Sequence, residues 1–486
     1  MENMNLQPES VFHFFSEICQ IPRPSKREEK IIAYLKDFGK KHGLETKVDE
    51  VGNVLIKKPA TKGKENLQTV VLQSHIDMVC EKNSDVEHDF LKDPIETVVD
   101  GEWLKAKGTT LGADNGIGVA TELAILDAKD IEHGPIECLF TIDEETGLTG
   151  AFALKEGFLN GNILINLDSE DEGELFIGCA GGSDTVAEFA YQTIAVPQDY
   201  FCFHVGIKGL TGGHSGDDIN KNRANANKLL VRFLTFISQK YDLYLCEIHG
   251  GNLRNAIPRE AHAICAIPMA DKENVRIDLN VFAAEVENEY SVTEPDIKFI
   301  LQSESLCREA IDHDTTNRLL KSLYAVHNGV LAMSQDIPGL VETSSNLASI
   351  RMKDGNVIKI ETSQRSSILS SKEDVLNMVG AAFELGGAKV SVGEGYPGWK
   401  PNPSSPILEV AVKAYKRLFG VDPKVKAIHA GLECGLFLEK YPSLDMVSFG
   451  PTLRGVHSPD ERMLIPTVDK FWRHLLEVLA NIPEKK

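Results

Sequence analysis

Three short apolar segments in the first 170 residues each end on an imidazole or a carboxylate. Val-Val-Leu-Gln-Ser leads into His75, Leu-Phe-Thr-Ile-Asp leads into Glu144, and Leu-Ile-Asn-Leu leads into Asp168. Short, dense apolar runs separated by longer or helical segments are typical of strands in a buried parallel or mixed sheet. In open α/β sheets the functional site lies at the carboxyl ends of the strands. We therefore predict an α/β sheet with these side chains gathered at one edge.

Four further side chains of the same chemistry follow in characteristic loops. They are Asp77 in Ser-His-Ile-Asp-Met, Asp114 in Gly-Ala-Asp-Asn-Gly, Glu145 beside Glu144, and His457 in Gly-Val-His-Ser-Pro-Asp-Glu. Imidazole and carboxylate are ligands of zinc, and a two-metal hydrolase needs about five of them and one free base. Turn caps or surface residues would explain each side chain singly, but not their convergence at one sheet edge. The set predicts a dinuclear metal site.

The requirements of two adjacent cations suggest a role for each ligand. One carboxylate must bridge cations that lie roughly 3.5 to 4 Å apart, and Asp114, in a glycine-flanked turn before a predicted helix, is our choice. One cation then takes His75 and Asp168, and the other takes Glu145 and His457.

Two carboxylates remain after the metal ligands have been assigned. Asp77 lies two residues beyond His75, so we expect it to accept the other N–H of that imidazole and to fix its tautomer. Glu144 must stay off the metals in order to act as the general base on a metal-activated water. We therefore predict that Asp77 and Glu144 serve the reaction without binding metal directly.

The composition narrows the class of protein. A formal net charge of -21 argues against a phosphate-binding surface, so we expect no nucleic-acid partner. There is no basic, apolar N-terminal start and no run of about 18 to 20 apolar residues, so neither a signal peptide nor a membrane partner is expected. Nine scattered cysteines without a Cys-x-x-Cys pair suit reduced thiols. These features predict a cytoplasmic enzyme.

A chain of 486 residues is too long for one ordinary core, which favours two domains. Ser25 and Glu28 form an apparent capping box before the first clear amphipathic helix. The α/β pattern stops near residue 187 and resumes near residue 394. We expect a discontinuous α/β domain of residues 1–187 and 394–486, with a mixed and mostly parallel sheet, and an inserted α+β domain of residues 188–393 built from two successive units.

The chain resembles the co-catalytic zinc peptidase family of aminoacylases, carnosinases and related dipeptidases. The resemblance runs from the first helix to the last. It is carried by Gln-Ser-His-Ile-Asp-Met-Val-Cys, Thr-Leu-Gly-Ala-Asp-Asn-Gly-Ile-Gly, Asp-Glu-Glu-Thr-Gly-Leu-Thr-Gly-Ala, Gly-Leu-Thr-Gly-Gly-His-Ser-Gly, His-Ala-Gly-Leu-Glu-Cys-Gly and Gly-Val-His-Ser-Pro-Asp-Glu. It implies a zinc exopeptidase-like catalytic domain, an inserted lid domain and two Zn²⁺ ions per chain, for which Co²⁺ or Mn²⁺ are substitutes. It also implies a cis peptide bond after Asp114.

The resemblance assigns further roles to residues outside the metal site. His214, in Thr-Gly-Gly-His-Ser-Gly, matches the imidazole that helps to hold the oxyanion, against the alternative of a histidine in a turn. Arg365 would grip the C-terminal carboxylate of the substrate, since guanidinium pairs bidentately with carboxylate. Asn255 would donate a hydrogen bond near the scissile carbonyl, and Glu433 would hold the substrate ammonium. For the last three, a structural role is the alternative.

The resemblance implies hydrolysis of dipeptides, including those with a C-terminal histidine such as carnosine. A tripeptide aminopeptidase or an N-acyl-amino-acid hydrolase of the same family is the alternative, since the metal motifs do not separate these activities. A metal-holding scaffold without catalysis is disfavoured by the presence of Glu144 and His214. The insert is long enough to imitate a pair of lids within one chain, so His214 is expected to act in its own chain, while a homodimer stays compatible with the sequence.

Overall fold

Neither of the two units of this protein is continuous in sequence. The computed structural model describes residues 6–305 and 307–485. Its first unit comprises the chain up to Gly178, Trp399–Ala427 and the segment from Leu432 onward, and its second unit comprises Cys179–Gly398 and Ile428–Gly431. Against the expected insert of residues 188–393, the second unit starts nine residues earlier and its long segment ends five residues later.

The first segment of the chain supplies most of the first unit. Its elements are α1 (Glu9–Cys19), α2 (Glu29–His42), β1 (Glu45–Val48), β2 (Val54–Lys58), β3 (Val70–His75), β4 (Thr97–Asp100), β5 (Trp103–Ala106), α3 (Ala113–Asp127), β6 (Ile136–Thr141), α4 (Glu144–Gly147), α5 (Thr149–Ala153), β7 (Ile163–Asn166) and β8 (Glu174–Cys179).

The middle segment forms the second unit. Its elements are β9 (Gly181–Ala190), β10 (Thr193–Ala195), β11 (Tyr200–Lys208), β12 (Gly213–His214), α6 (Ala226–Ser238), β13 (Tyr244–Gly250), β14 (Ala256–Ile257), β15 (Ala261–Pro268), α7 (Lys272–Glu289), β16 (Lys298–Ser303), β17 (Glu309–Ile311), α8 (His313–Ala325), β18 (Gly329–Met333), β19 (Val341–Lys353), β20 (Val357–Ser366), α9 (Leu369–Leu385) and β21 (Lys389–Val392).

The last segment returns to the first unit. It contains α10 (Pro406–Phe419), β22 (Lys424–Ile428), α11 (Cys434–Lys440), β23 (Asp445–Ser448), β24 (Leu453–Arg454), β25 (Arg462–Leu464) and α12 (Ile465–Ala480). Among the described residues, no helix combines the length and the apolar character that crossing a membrane requires.

The first unit is built on an eight-stranded mixed sheet in the order β1-β2-β6-β3-β7-β23-β8-β22. The central strands β6, β3, β7 and β23 run parallel to one another, and β1 and β2 continue the sheet antiparallel. Every residue of β3, β6 and β7 is buried, which explains why apolar residues predominate in them. The predicted α/β domain with a mixed, mostly parallel sheet is confirmed.

The carboxyl ends of the three central strands place the predicted ligands together. β3 ends on His75, β6 is followed by Glu144 and Glu145 at the start of α4, and β7 is followed within two residues by Asp168. Adjacent parallel strands end at the same edge of a sheet, so these loops become neighbours in space.

The predicted capping box before α2 is wrong. The N-cap of α2 is Glu28 and no side chain caps the helix. The Ser25 hydroxyl instead donates to Asp77 Oδ2 over 2.7 Å, and Glu28 Oε1 accepts from the backbone N–H groups of Lys26 and Asp143 at 2.8 and 3.0 Å. Both side chains hold the loops at the sheet edge, so their spacing in sequence imitates a cap.

The second unit is a nine-stranded antiparallel sheet covered by helices. Its main path is β16-β11-β15-β13-β19-β20-β9-β21, and β18 pairs with β19. One buried cluster, which includes Phe203, Phe233 and Phe383, joins the sheet to its helices. An α+β insert was expected from the sequence, and the fold agrees with it.

Two β-α-β-β-α-β repeats make up this second sheet, and one is nested inside the other. The first repeat is β11-α6-β13-β15-α7-β16, and the second is β9-α8-β19-β20-α9-β21. If the four strands of each repeat are numbered along the chain, their order across the sheet is 4-1-3-2 in both repeats. The repeats join at β13 and β19 through the single pair Gly250 and Ile350. Because β9 precedes the whole first repeat, the two units are nested rather than successive.

Candidate active site

Asp114 lies at the centre of the ligand group and faces two histidines with its two oxygens. His75 Nε2 lies 3.1 Å from Asp114 Oδ1, and His457 Nε2 lies 3.2 Å from Asp114 Oδ2. The peptide bond that follows Asp114 is cis, as the family resemblance implied. This is the arrangement expected of a carboxylate that bridges two cations.

Each histidine has one further carboxylate partner. His75 Nε2 lies 3.4 Å from Asp168 Oδ1, and His457 Nε2 lies 3.0 Å from Glu145 Oε2. The structure thus groups His75 with Asp168 and His457 with Glu145, the same two pairs that were assigned to separate cations, with Asp114 between them.

Asp77 fixes both His75 and the loop that carries the glutamates. Its Oδ1 lies 3.2 Å from His75 Nδ1 and accepts the backbone N–H of Glu144 at 3.0 Å. Its Oδ2 accepts the backbone N–H of Glu145 at 3.2 Å and the hydroxyl of Ser25. The expected contact with the imidazole is present, and Asp77 also orients the turn between β6 and α4.

Glu144 starts the same short helix as Glu145, but its carboxylate forms no ion pair with either histidine in the described chain. No hydrogen bond of its carboxylate occurs within the described chain. Burial raises the pKa of Glu144 well above its ordinary value, and the nearby carboxylates of Asp168 and Glu145 add to this against the opposing effect of His75. A carboxyl group with a raised pKa suits a base that must also give its proton back.

Two loop residues at the sheet edge have unusual backbone conformations. Asp143, just before the glutamates, has a φ of 48°, and His457 has a φ of 61°. Such left-handed conformations are uncommon for residues other than glycine and cluster at functional sites. Here they turn Glu144, Glu145 and the His457 imidazole toward the ligand group.

The residues fit a pair of divalent cations. One ligand atom each of His75, Asp114 and Glu145 lies within 4.8 Å of the other two, and Glu145 Oε1 is buried without a hydrogen-bond partner. Burial alone lowers the pKa of His75, yet the carboxylates of Asp168 and Asp114 raise it well above its ordinary value. The site therefore holds an excess of negative charge that favours bound cations.

The sequence analysis missed Glu461, which shapes the loop that carries Asp114. Glu461 is buried, with 2% of its surface exposed. Its Oε2 accepts the backbone N–H groups of Leu111 and Gly112 at 2.7 and 2.9 Å, and its Oε1 accepts those of Ala113 and Asp114 at 2.8 and 3.3 Å. Glu461 follows His457 by four residues, so one loop supplies both a predicted ligand and the support of the predicted bridging ligand.

Arg23 and Asn115 are two further supports that the sequence did not reveal. The buried Arg23 guanidinium donates to the carbonyl groups of Ile76, Asp77 and Gly112 at 3.0, 2.8 and 2.5 Å. It thereby ties the loop after β3 to the loop before α3. Asn115 Nδ2 donates to Asp168 Oδ1 at 2.6 Å. No spacing or periodicity in the sequence marks either contact.

The second unit brings together His214 and Asn255. The short strands β12 and β14 pair His214 with Ala256, and the Ser215 N–H donates to the Asn255 carbonyl at 2.8 Å. The His214 side chain is one-third exposed, and its Nδ1 accepts the N–H groups of Gly216 and Asp217 at 3.3 and 3.2 Å. Its Nε2 has no hydrogen-bond partner in the described chain and is free to donate.

Arg365 lies in the same unit, on β20. It is buried, its Nη1 donates to the Tyr396 hydroxyl at 3.0 Å, and its Nε has no partner among the described residues. A buried guanidinium with no carboxylate partner of its own in the described chain suits the binding of an anionic group.

Glu433 lies in the first unit, behind the ends of β3 and β6. Its Oε2 accepts from Gln73 Nε2 at 2.6 Å and from the Thr141 hydroxyl at 2.8 Å, and its surface is fully buried. Burial raises the pKa of Glu433 to about 8. Its bonds to two strands favour a structural role, and ammonium binding by its unpartnered Oε1 stays a prediction.

Comparison with known proteins identifies relatives along the entire chain. Residues 71–481 match the Peptidase family M20/M25/M40. The chain is 46% identical over 485 residues to the cytosol non-specific dipeptidase of Escherichia coli (strain K12), with 100% of both chains covered. The structure is similar to that of aminoacylhistidine dipeptidase from Vibrio alginolyticus, with a TM-score of 0.91, 46% identity and coverage of 99% and 98%. Aminopeptidase PepT from Bacillus cereus has the same fold, with a TM-score of 0.61, 17% identity and coverage of 98% and 99%.

Proposed function

Because this chain belongs to the peptidase family M20/M25/M40, we propose that it is a metal-dependent dipeptidase. The observation that carries the proposal is the position of Asp114, whose two oxygens face His75 and His457 separately. Glu144 lies in the same group of loops, and its carboxylate makes no ion pair with His75 or His457 in the described chain. This is the donor set of a two-cation hydrolase with one free base.

We take the substrates to be dipeptides of broad sequence, including those with a C-terminal histidine. The E. coli relative is named a non-specific dipeptidase and the Vibrio relative an aminoacylhistidine dipeptidase, and each is 46% identical to this chain over nearly all of its length. Histidine at the second position is thus one accepted residue rather than a requirement. The name of the E. coli relative also supports a cytoplasmic location.

Two zinc ions, or Co²⁺ or Mn²⁺ as substitutes, would be held by five side chains: His75, Asp114, Glu145, Asp168 and His457. Such a pair would polarise the scissile carbonyl and lower the pKa of a water molecule to about 7. Asp77 keeps the His75 imidazole in one orientation, since its carboxylate accepts a hydrogen bond from Nδ1–H and leaves Nε2 for the metal.

The protein residues then move one proton and hold the substrate. A Glu144 carboxylate oxygen takes a proton from the attacking water and later delivers it to the leaving nitrogen. Arg365 binds the C-terminal carboxylate, and the His214 imidazole donates to the oxyanion that develops at the scissile carbonyl. Asn255 donates a further hydrogen bond near that carbonyl. Selection of dipeptides follows if Arg365 meets the carboxylate one residue past the scissile bond.

The assembly of the enzyme is part of the same proposal. The second unit contains two β-α-β-β-α-β repeats within one chain, which supports a role for His214 in its own chain. A homodimer is compatible with this role. If His214→Ala and Glu144→Gln subunits regained activity on mixing, His214 would act across subunits instead.

The experiment that tests the function uses chelated full-length enzyme, with zinc or magnesium restored. Ala-His, carnosine, Ala-Ala-Ala and acetyl-His are the substrates. We expect zinc to restore cleavage of the dipeptides alone and magnesium to restore little, because Mg²⁺ prefers six oxygen ligands over imidazole. Restored cleavage of the tripeptide or of acetyl-His would instead assign the chain to the aminopeptidase or acyl-amino-acid hydrolase class.

A further inference from the structure

The motif His-Ala-Gly-Leu-Glu-Cys-Gly contains a buried histidine to which no role has been given. His429 has 5% of its surface exposed, and it belongs to the short segment Ile428–Gly431 that joins the second unit. Its Nε2 lies 2.7 Å from the hydroxyl of Ser344. The imidazole is thus anchored on one side to the sheet of that unit.

Ser344 connects His429 with Arg365. Ser344 on β19 and Arg365 on β20 are directly paired across the two strands, and directly paired residues present their side chains on the same face of a sheet. The hydrogen bond from Ser344 therefore holds the His429 ring on the face of the sheet that carries the Arg365 guanidinium. The same guanidinium contributes to the lowered pKa of His429, after burial, which brings it to about 3. The imidazole is neutral at neutral pH.

Both side chains keep one nitrogen without a partner. His429 Nδ1 and Arg365 Nε are buried and make no hydrogen bond of normal geometry within the described chain. The backbone of Val341 lies close enough to the His429 ring to oppose the lowering of its pKa. Buried polar atoms are bonded in the great majority of cases, because an unpaired one costs free energy. Two such atoms on adjacent side chains indicate a shared partner that arrives from outside the chain.

Glycines keep the backbone around this cluster closely packed. A Cβ atom on Gly216 would lie 2.1 Å from the His429 carbonyl oxygen, and one on Gly431 would lie 2.8 Å from the Tyr396 ring. The Tyr396 hydroxyl in turn accepts from Arg365 Nη1. The segment that carries His429 is therefore fixed against its neighbours, so the imidazole has a defined position beside Arg365.

We propose that His429 is a second carboxylate-binding residue, which donates from Nδ1–H to the C-terminal carboxylate that Arg365 also binds. This inference rests on the proposed dipeptidase function. In the corresponding tautomer the Ser344 hydroxyl donates to Nε2 and Nδ1 carries the proton. A carboxylate offers about four lone-pair positions, so a guanidinium and a neutral N–H donor can bind it together. A neutral donor adds recognition of the carboxylate without a second positive charge beside Arg365.

Substrate pairs separate this role from a purely structural one. The test measures KM and kcat of the zinc-loaded enzyme for Ala-His and for its C-terminal amide, which lacks the carboxylate. For His429→Ala we expect KM for Ala-His to rise about tenfold to a hundredfold with kcat little changed, because a hydrogen bond to a charged group is lost. The same variant should alter KM for the amide by less than about threefold.

Two conservative variants test which nitrogen matters. The amide of asparagine reaches the position of Nδ1, whereas that of glutamine reaches the position of Nε2. We therefore expect His429→Asn to retain most of the affinity for Ala-His, and His429→Gln to resemble His429→Ala. Ser344→Ala removes only the anchor of the ring, and should raise KM for Ala-His by a smaller factor. The matched control is His262→Ala on β15, which replaces an exposed histidine of the same unit. It should leave KM and kcat unchanged for both Ala-His and its amide.

The outcomes distinguish this inference from the proposed function. Equal losses on Ala-His and its amide, or a fall in kcat with KM unchanged, would overturn carboxylate binding by His429 while the dipeptidase function stands. A wild-type enzyme that cleaves no dipeptide would overturn both. If His429→Ala does not fold, the order of KM for the asparagine, glutamine and Ser344→Ala variants decides the question by the same criterion.

Discussion

The supports of the metal ligands and the candidate substrate-binding residues differ in how completely their polar atoms are bonded. In the first unit, Asp77 and Glu461 direct both carboxylate oxygens at backbone N–H groups, and Arg23 donates to three carbonyl groups. In the second unit, Arg365 Nε and His429 Nδ1 are buried and make no hydrogen bond of normal geometry in the described chain.

This difference follows from what each group has to do. Metal ligands must be held in one geometry before the cations arrive, so bonds to the backbone of the loops keep that geometry fixed. A substrate carboxylate arrives and leaves in each turnover, so its binding groups must keep donors free in the empty state. The completeness of hydrogen bonding therefore separates Asp77, Glu461 and Arg23, which position, from Arg365 and His429, which bind. Asn115 is an exception among the supports, because its Oδ1 is buried without a partner in the described chain.

The largest loss of activity is expected at Glu144, which neither positions a metal ligand nor binds the substrate carboxylate. Glu144→Gln removes the proton acceptor but keeps the size of the side chain, so kcat on Ala-His should fall by about a thousandfold or more, in the upper range for general-base catalysis. Zinc content, measured by mass spectrometry, should stay at two ions per chain. Glu156→Gln on the exposed surface is the matched control. Full turnover by Glu144→Gln would remove Glu144 from the mechanism.

The binding class is tested at Arg365. Arg365→Ala should raise KM for dipeptides by about a hundredfold, because it removes a charged, bidentate partner of the carboxylate. Arg365→Lys should recover only part of this loss, since lysine cannot pair bidentately. Arg351→Ala, on the neighbouring strand β19, is the control. If Arg365→Ala lowered the melting temperature and left KM unchanged, Arg365 would belong with the positioning residues and the comparison would fail.

The positioning class is tested at Glu461. Glu461→Gln places an amide N–H₂ against backbone N–H groups that now meet a carboxylate oxygen. Zinc affinity should fall by about tenfold to a hundredfold, as is usual when the support of a metal ligand is lost. KM for dipeptides at saturating zinc should change little. Asp460→Asn makes the same change of charge at the preceding residue, which is exposed, and should leave zinc affinity unchanged.

The grouping of the predicted ligands at one sheet edge could be read from the sequence because the signals were local. Buried parallel strands are recognisable as short apolar runs. Because functional side chains gather at the carboxyl ends of such strands, His75, Glu144 and Asp168 can be placed at one sheet edge without knowledge of their contacts. The glycine-flanked turn before a predicted helix suggested Asp114 as the bridge, and the structure puts its two oxygens opposite two histidines. Local pattern and topology were sufficient for these residues.

The supports could not be read from the sequence, since each acts across a long separation. Glu461 bonds residues about 350 positions earlier, and its neighbours in sequence give it the character of a solvated loop residue. The nested repeat was missed because β9 begins Gly-Gly-Ser-Asp, which lacks the apolar alternation of a strand. Ser25 and Glu28 had the spacing of a capping box, but both are engaged by the sheet-edge loops.

The smallest effect is expected at Ser25, whose hydroxyl is only one of the partners of Asp77. Ser25→Ala removes the bond to Asp77 Oδ2 and leaves the contacts of Asp77 with His75 and with the N–H groups of Glu144 and Glu145. A hydrogen bond to a charged group is worth about 1.5 kcal/mol at the lower end, and its loss from a network that is otherwise intact should lower kcat/KM by about tenfold. Ser25→Thr, which keeps the hydroxyl, should restore the activity. If Ser25→Ala instead lost activity as severely as Asp77→Ala, the bonds to Asp77 would act as one cooperative unit, and the frame around the metal ligands would be less redundant than its many contacts suggest.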